Sequence, residues 1–212
     1  MDDEERLTGG LANAGAVVRR GAVVERPAPP HAAALHGFLA GLRAGGFAGA
    51  PVAVGADWPT EFADPEGGPL LCHNDVCAEN VVFRAGGAAA LIDFDFAAPG
   101  RPVWDVALAA RYWVPVLDPA TAAETGRAHL EVPRRLALFA DAYGLSPADR
   151  LALPSVLEQA TAVCLGFVAR KVAAGDAVFV RHFDGYGGWD RWDRLRSWLS
   201  GQRPLLERKL KG

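Results

Sequence analysis

The segment His73-Asn74-Asp75-Val76-Cys77-Ala78-Glu79-Asn80 sets an aspartate two residues after a histidine and an asparagine five residues after that aspartate. Ile92-Asp93-Phe94-Asp95 follows, with Asp93 thirteen residues beyond Asn80. Phosphoryl transfer to a hydroxyl asks for these side chains. One carboxylate must stand beside the attacking hydroxyl to orient it and accept its proton. An amide oxygen and a second carboxylate must hold Mg²⁺ against the triphosphate, because charge on the transferring group has to be neutralised. Magnesium takes oxygen ligands and keeps several waters, so one Asn and one Asp from the protein suffice.

Such a set works only if local structure folds Asp93 back beside Asn80. Residues 81–84 and 89–92 are short apolar runs around Gly86-Gly87, which predicts a hairpin with Asp93 directly after its second strand. Upstream, 16–20 and 22–26 around Gly21 predict another hairpin, ended by Pro27, Pro29 and Pro30. Leu35, Phe38, Leu39 and Leu42 fall at helical spacing within residues 31–44, and Gly45-Gly46 stops that helix. The breakers Asp57, Pro59, Asp64, Pro65, Gly67, Gly68 and Pro69 read as a linker. Beyond the acidic pair the pattern is helical. Helices are predicted over 103–113, over 132–143 up to Gly144, and from the Ser146-Pro147 start to about residue 174, broken or kinked near Pro154. A tryptophan-rich helix is expected over 189–199, then a solvated basic tail over 205–210.

Composition bounds the rest. In 212 residues, half are apolar, and 22 basic residues stand against 25 acidic ones for a net charge of −3. That allows one domain or two small lobes with a real core, and gives no global pull toward nucleic acid or an anionic membrane. No apolar run reads as a membrane span, and the acidic start Met1–Arg6 does not resemble a signal peptide. Cys72, Cys77 and Cys164 form neither a disulfide framework nor a zinc spacing, so a reduced cytoplasmic protein is expected. Abundant Ala and Arg with scarce Lys fit a GC-rich bacterial genome.

The loop and its Asp93 partner resemble the catalytic and metal-binding loops of the aminoglycoside phosphotransferase and choline kinase family, whose fold is protein-kinase-like. The resemblance implies that Asp75 is the catalytic base, His73 a brace for the loop, Asn80 a Mg²⁺ ligand and Asp93 the main Mg²⁺ ligand. Asp95 is either a second metal contact or an exposed loop carboxylate. Trp104-Asp105-Val106-Ala107 matches the family's downstream aspartate, which supports the catalytic loop from behind. Leu7-Thr8-Gly9-Gly10-Leu11-Ala12-Asn13 resembles a glycine-rich turn over the nucleotide phosphates, which makes Gly9, Gly10 and Asn13 nucleotide contacts with Arg26 as the available cation. The likeness runs from Leu7 to Arg111, and more loosely through the C-terminal helices.

The implied fold is α+β, with a reduced β-rich N-terminal lobe (1–56), a linker (57–69) and a mainly helical catalytic lobe (70–212). The implied activity is ATP- and Mg²⁺-dependent transfer to a hydroxyl of a small molecule. Two features depart from the family pattern. Only 72 residues precede His73, so the nucleotide-gripping half is thin, and the basic residue expected on the third strand falls on Glu25 as readily as on Arg26. These motivate a second reading, a non-catalytic relative. An Asp/His metal hydrolase would need more ligands near His73. An exposed apolar lobe face would make a homodimer an option. Asp184, Asp190 and Asp193 are candidates for an acidic acceptor pocket, and Trp189, Trp192 and Trp198 for core or substrate stacking.

Overall fold

The structure, a computed structural model, describes residues 4–6, 17–20, 23–25, 44 and 60–211. Gly9, Gly10, Asn13, Arg26 and the 31–44 helix, Ala44 apart, lie outside the described residues.

Near the N-terminus, β1 (Glu4–Arg6), β2 (Val18–Arg20) and β3 (Val23–Glu25) form an antiparallel sheet in that order, with Arg20 opposite both Glu4 and Val23. The hairpin agrees with the sequence reading. β1 is new: three charged residues carry no apolar alternation, so only the pairing defines the strand.

β4 (Leu70–Cys72) leads into the His73 loop and pairs antiparallel with β7 (Ala98–Gly100). Between them, β5 (Val81–Arg84) and β6 (Gly87–Leu91) make the expected hairpin. Arg84 pairs with Gly87, so the turn is Ala85-Gly86, one residue earlier than expected. Both turn residues have positive φ, 50° and 79°, the requirement of a tight two-residue hairpin whose twist matches its strands.

Six helices follow: α1 (Pro102–Trp113), α2 (Pro119–Glu124), α3 (Val132–Tyr143), α4 (Pro147–Ala173), α5 (Ala177–Gly185) and α6 (Gly188–Leu210). α4 is the central one, packed on α1, α5 and α6. Its buried Leu153, Val156, Leu157, Ala160, Cys164 and Phe167 recur every three or four residues and meet Val103, Trp104, Ala107 and Leu108 of α1 in the core. The Ser146 Oγ accepts the Asp149 N–H at 3.1 Å and starts α4, and the helix continues as one element through Pro154. By length and composition α4 is also apolar enough to cross a membrane, contrary to the sequence expectation. One face of it, from Leu153 to Phe167, is buried in the core. α3 ends at Gly144, φ 81°, whose N–H reaches the Asp141 carbonyl while the Leu145 N–H reaches the Ala140 carbonyl, a left-handed cap that buries Leu145.

The expected basic tail is instead the end of α6. Leu206 and Leu210 are buried in the core, so the basic residues 208, 209 and 211 ride on the outer face of an amphipathic turn. α2 and α5 were not anticipated; Asp118 and Asp176 cap them.

The breaker-rich stretch before β4, described from Thr60 on, is a strap pinned to the helical body. Phe62 packs against Phe96 and Phe167, and its carbonyl accepts the Trp104 Nε1–H at 3.0 Å. Asp64 holds Arg101, the residue that opens α1, at 2.7 and 2.9 Å. Gly68 lies so close to β7 that an added Cβ would sit 2.2 Å from the Gly100 backbone. Gly68→Ala must therefore push strap and strand apart, and we expect a loss of about 1–3 kcal/mol, read as a lower urea midpoint. An unchanged midpoint would mean that the strap does not dock.

Candidate active site

Each loop residue is placed by neighbours close in space and distant in sequence. The backbone of His73 enters from β4, and its N–H donates to Asp105 Oδ1 at 3.1 Å; the Asn74 N–H reaches the same carboxylate. Asp105 stands in the first turn of α1. Its burial pushes the carboxyl up, and the two N–H bonds and the Tyr143 hydroxyl oppose that rise. The aspartate supports the loop from behind, as the sequence reading anticipates. Asp105→Ala would strand two backbone N–H groups, at about 1–3 kcal/mol each. A drop in chemical-denaturation stability in that range is the expected result; a variant as stable as the parent would show that the loop finds other support.

The His73 ring joins the two acidic loops. Ile92 O accepts from Nε2 at 3.0 Å, and the Asp75 N–H donates to Nδ1 at 3.3 Å. A carbonyl can only accept and an amide N–H can only donate, so Nε2 carries the proton. One imidazole thus fixes the peptide before Asp93 and the peptide that begins Asp75. Asn74, φ 66°, reaches the far end of the acidic segment by donating from Nδ2 to Phe96 O at 2.9 Å. His73 and Asn74 together clamp residues 92–96 at both ends. Phe94 lies against His73, ring centroids 4.4 Å apart. Asp93 itself takes φ 61°, a region that L residues seldom occupy and that is held here by its surroundings.

Asp75 is gripped on both carboxylate oxygens. Asn80 Nδ2 donates to its Oδ2 at 3.1 Å and to its backbone O at 2.9 Å, and the Tyr112 hydroxyl donates to Oδ1 at 2.9 Å. Burial pushes the Asp75 carboxyl above the ordinary carboxylate range. The hydrogen bonds from Tyr112 and Asn80 act against that rise, and the Asp93 charge adds to it. A carboxylate with raised proton affinity is a better general base. Trp113 Nε1 donates to Val76 O at 2.6 Å and Arg135 Nη2 to Trp113 O at 2.8 Å, which fixes the end of α1 against the loop.

The remaining site residues fit a hard cation. Both Nδ2 bonds of Asn80 point at acceptors of Asp75, so its Oδ1 must face away from them. The Ile92 N–H bonds Asn80 O at 3.0 Å and brings Asp93 next to that amide. Asn80, Asp93 and Asp95 offer only oxygen, the ligand type of Mg²⁺. Among the described residues no group of three His, Cys, Asp or Glu side chains gathers as a metal cluster.

A family model for a phosphotransferase enzyme family matches residues 24–139, more than half of the chain and the whole of this loop system. The chain belongs to that family. Membership carries a protein-kinase-like fold, and the mixture of small sheets with a mainly helical body agrees with α+β. No curated protein and no solved structure matches the chain significantly.

Within this phosphotransferase frame, sequence reasoning missed Asn74 and Tyr112. The signal for Tyr112 was present. It lies seven residues after Asp105 on α1, two turns along the same face, so a helix that points Asp105 at the loop also points Tyr112 there. Cys72 and Cys77 flank the loop as unreactive thiols, pushed up to about 12 and about 11 by burial first and nearby carboxylates second. Asp184, Asp190 and Asp193 are all exposed, and Asp193 pairs with Arg196. Trp192 and Trp198 pack on the core, and Trp189 meets Phe183 edge to face.

Proposed function

We propose that this phosphotransferase moves the γ-phosphoryl group of ATP to a hydroxyl of a small molecule, with Mg²⁺. The observation that carries the proposal is the Asp75 carboxylate, fixed at both oxygens by Asn80 and Tyr112 and tied through His73 to the peptide before Asp93. Asp75 orients the acceptor hydroxyl and takes its proton as the acceptor oxygen bonds to phosphorus. The bond from that phosphorus to the bridging oxygen breaks, and its electron pair leaves with ADP. Bound Mg²⁺ would neutralise charge on the triphosphate, and Asn80 and Asp93 are the residues to hold it, with Asp95 beside them. Gly9, Gly10, Asn13 and Arg26 are proposed contacts for the nucleotide.

Thermal-shift titration with Mg²⁺–ATP tests the reading. A ligand that binds only the folded state raises Tm by mass action, so millimolar Mg²⁺–ATP should shift the transition upward and EDTA should remove the shift. An unchanged Tm would favour a non-catalytic relative that retains the loop.

A further inference from the structure

At the end of α1, next to the tyrosine that caps Asp75, stands a cation that pairs with no carboxylate among the described residues. Arg111 precedes Tyr112 at the end of α1. Its guanidinium makes two contacts among the described residues: Nη1 bonds Cys164 Sγ on α4, and the group lies 5.7 Å from the Trp192 ring centroid on α6. No carboxylate among those residues lies within 4.0 Å of it. Cys164 does not supply the missing charge, because burial pushes its thiol up and leaves it protonated. Asp75 does not pair with it either: no Asp75 oxygen comes within 4.0 Å of the guanidinium, and the side-chain bonds that Asp75 accepts come from Asn80 and Tyr112. Yet the end of α1 carries both the cation and the Asp75 contact, for Arg111 is the residue before Tyr112, whose hydroxyl bonds Asp75 Oδ1. A guanidinium has five donors, and a half-buried one left with a thiol and a ring is ready to take a bidentate anion.

The approach to this corner is open. Tyr112 is 45 % exposed, so an acceptor hydroxyl can come to Asp75 beside the phenol. The first half of α6, which carries Trp192, does not supply an acidic wall. Asp190 and Asp193 alternate there with Arg191, Arg194 and Arg196.

We propose that the acceptor is a small hydroxylated molecule bearing an anionic group, its hydroxyl meeting Asp75 beside Tyr112 and its anion held by Arg111. This deepens the phosphotransferase reading and rests on it for the role of Asp75. It gives the site a charge preference opposite to that suited to polycationic aminoglycosides.

The test uses the full chain and three classes of probe: hydroxy acids (glycerate, gluconate and 4-hydroxybenzoate), the neutral polyols glycerol and glucose, and kanamycin. Binding is read by thermal shift and calorimetry, and transfer by label moved from γ-labelled ATP. The expected result is that at least one hydroxy acid binds and accepts label. Arg111→Met should weaken that acid at least tenfold while the Mg²⁺–ATP shift stays at the wild-type value. Arg111→Lys, which keeps the charge and loses the planar fork, should fall between. Arg111→Met could unsettle the Cys164 contact, so its Tm without ligand and its Mg²⁺–ATP shift serve as folding controls. Binding by kanamycin or a polyol alone, binding by no probe, or equal acid affinity in wild type and Arg111→Met overturns the inference. Failure of the Mg²⁺–ATP shift in the wild type would instead strike the phosphotransferase reading, and the acid-binding arm would still decide the role of Arg111.

Discussion

Asp75→Asn is expected to lower phosphoryl transfer by about 100- to 10,000-fold, the range that general-base removal produces, while leaving the Mg²⁺–ATP thermal shift nearly intact. The separation follows from which atoms the substitution touches. Asn keeps the shape of Asp and loses its proton affinity, so no group remains to accept the hydroxyl proton. Asn80 and Asp93, the proposed metal ligands, keep their backbone ties, because the Ile92 N–H still bonds Asn80 O and the His73 ring still holds Ile92 O. Asp93→Asn should give the opposite signature, losing the Mg²⁺–ATP shift along with transfer. Label transfer from ATP in single turnover, beside thermal shift on the same preparations, separates the two. An Asp75→Asn protein that transfers at the wild-type rate would remove the assignment of Asp75. An Asp93→Asn protein that keeps the full shift would remove that of Asp93.

The chemistry of the loop could be read from sequence because its parts are local. Histidine, aspartate and asparagine sit within eight residues, and the hairpin that returns Asp93 is set by its own alternation and turn. Long helices could be read for the same reason. Residues 132–143 gave α3 to the residue, because the apolar stripe and Gly144 mark it fully. What could not be read is supplied at a distance. Tyr112 meets Asp75 across 37 positions, and Asp64 meets Arg101 across 37. β1 and β7 are three residues each, one fully charged and one containing Pro99 and Gly100, so their identity as strands comes from a partner. The strap shows the same limit. Proline, glycine and aspartate in residues 60–69 are the composition of free chain, and contacts made at a distance, above all those of Phe62 and Asp64 with α1 and α4, turn it into fixed structure.

That strap carries the largest stability prediction. The Asp64 side chain is fully shielded from solvent and accepts three bonds from Arg101: the backbone N–H at 3.0 Å, Nε at 2.7 Å and Nη2 at 2.9 Å. Arg101 also reaches Glu66 at 2.7 Å. Removing Asp64 leaves the largely buried Arg101 guanidinium with the exposed Glu66 carboxylate alone, so Asp64→Ala should cost about 3–5 kcal/mol. For a chain of this size that corresponds to a Tm lower by roughly 6–20 °C. Asp64→Leu with Arg101→Met, which removes both charges and fills the space with apolar side chains, should recover most of the loss. Acid should act through the same pair. Burial pushes the Asp64 carboxyl up, but the Arg101 bonds outweigh it and hold the group below its ordinary value. A depressed folded-state pKa means that the stabilisation is fully present above the unfolded value of about 3.9 and is lost as pH falls through the lower folded value. The wild type should therefore lose stability over that acid range, and the double variant, lacking the carboxylate, should lose less. Parallel acid profiles for the two proteins would show that Asp64 is not the group that fastens the strap to α1.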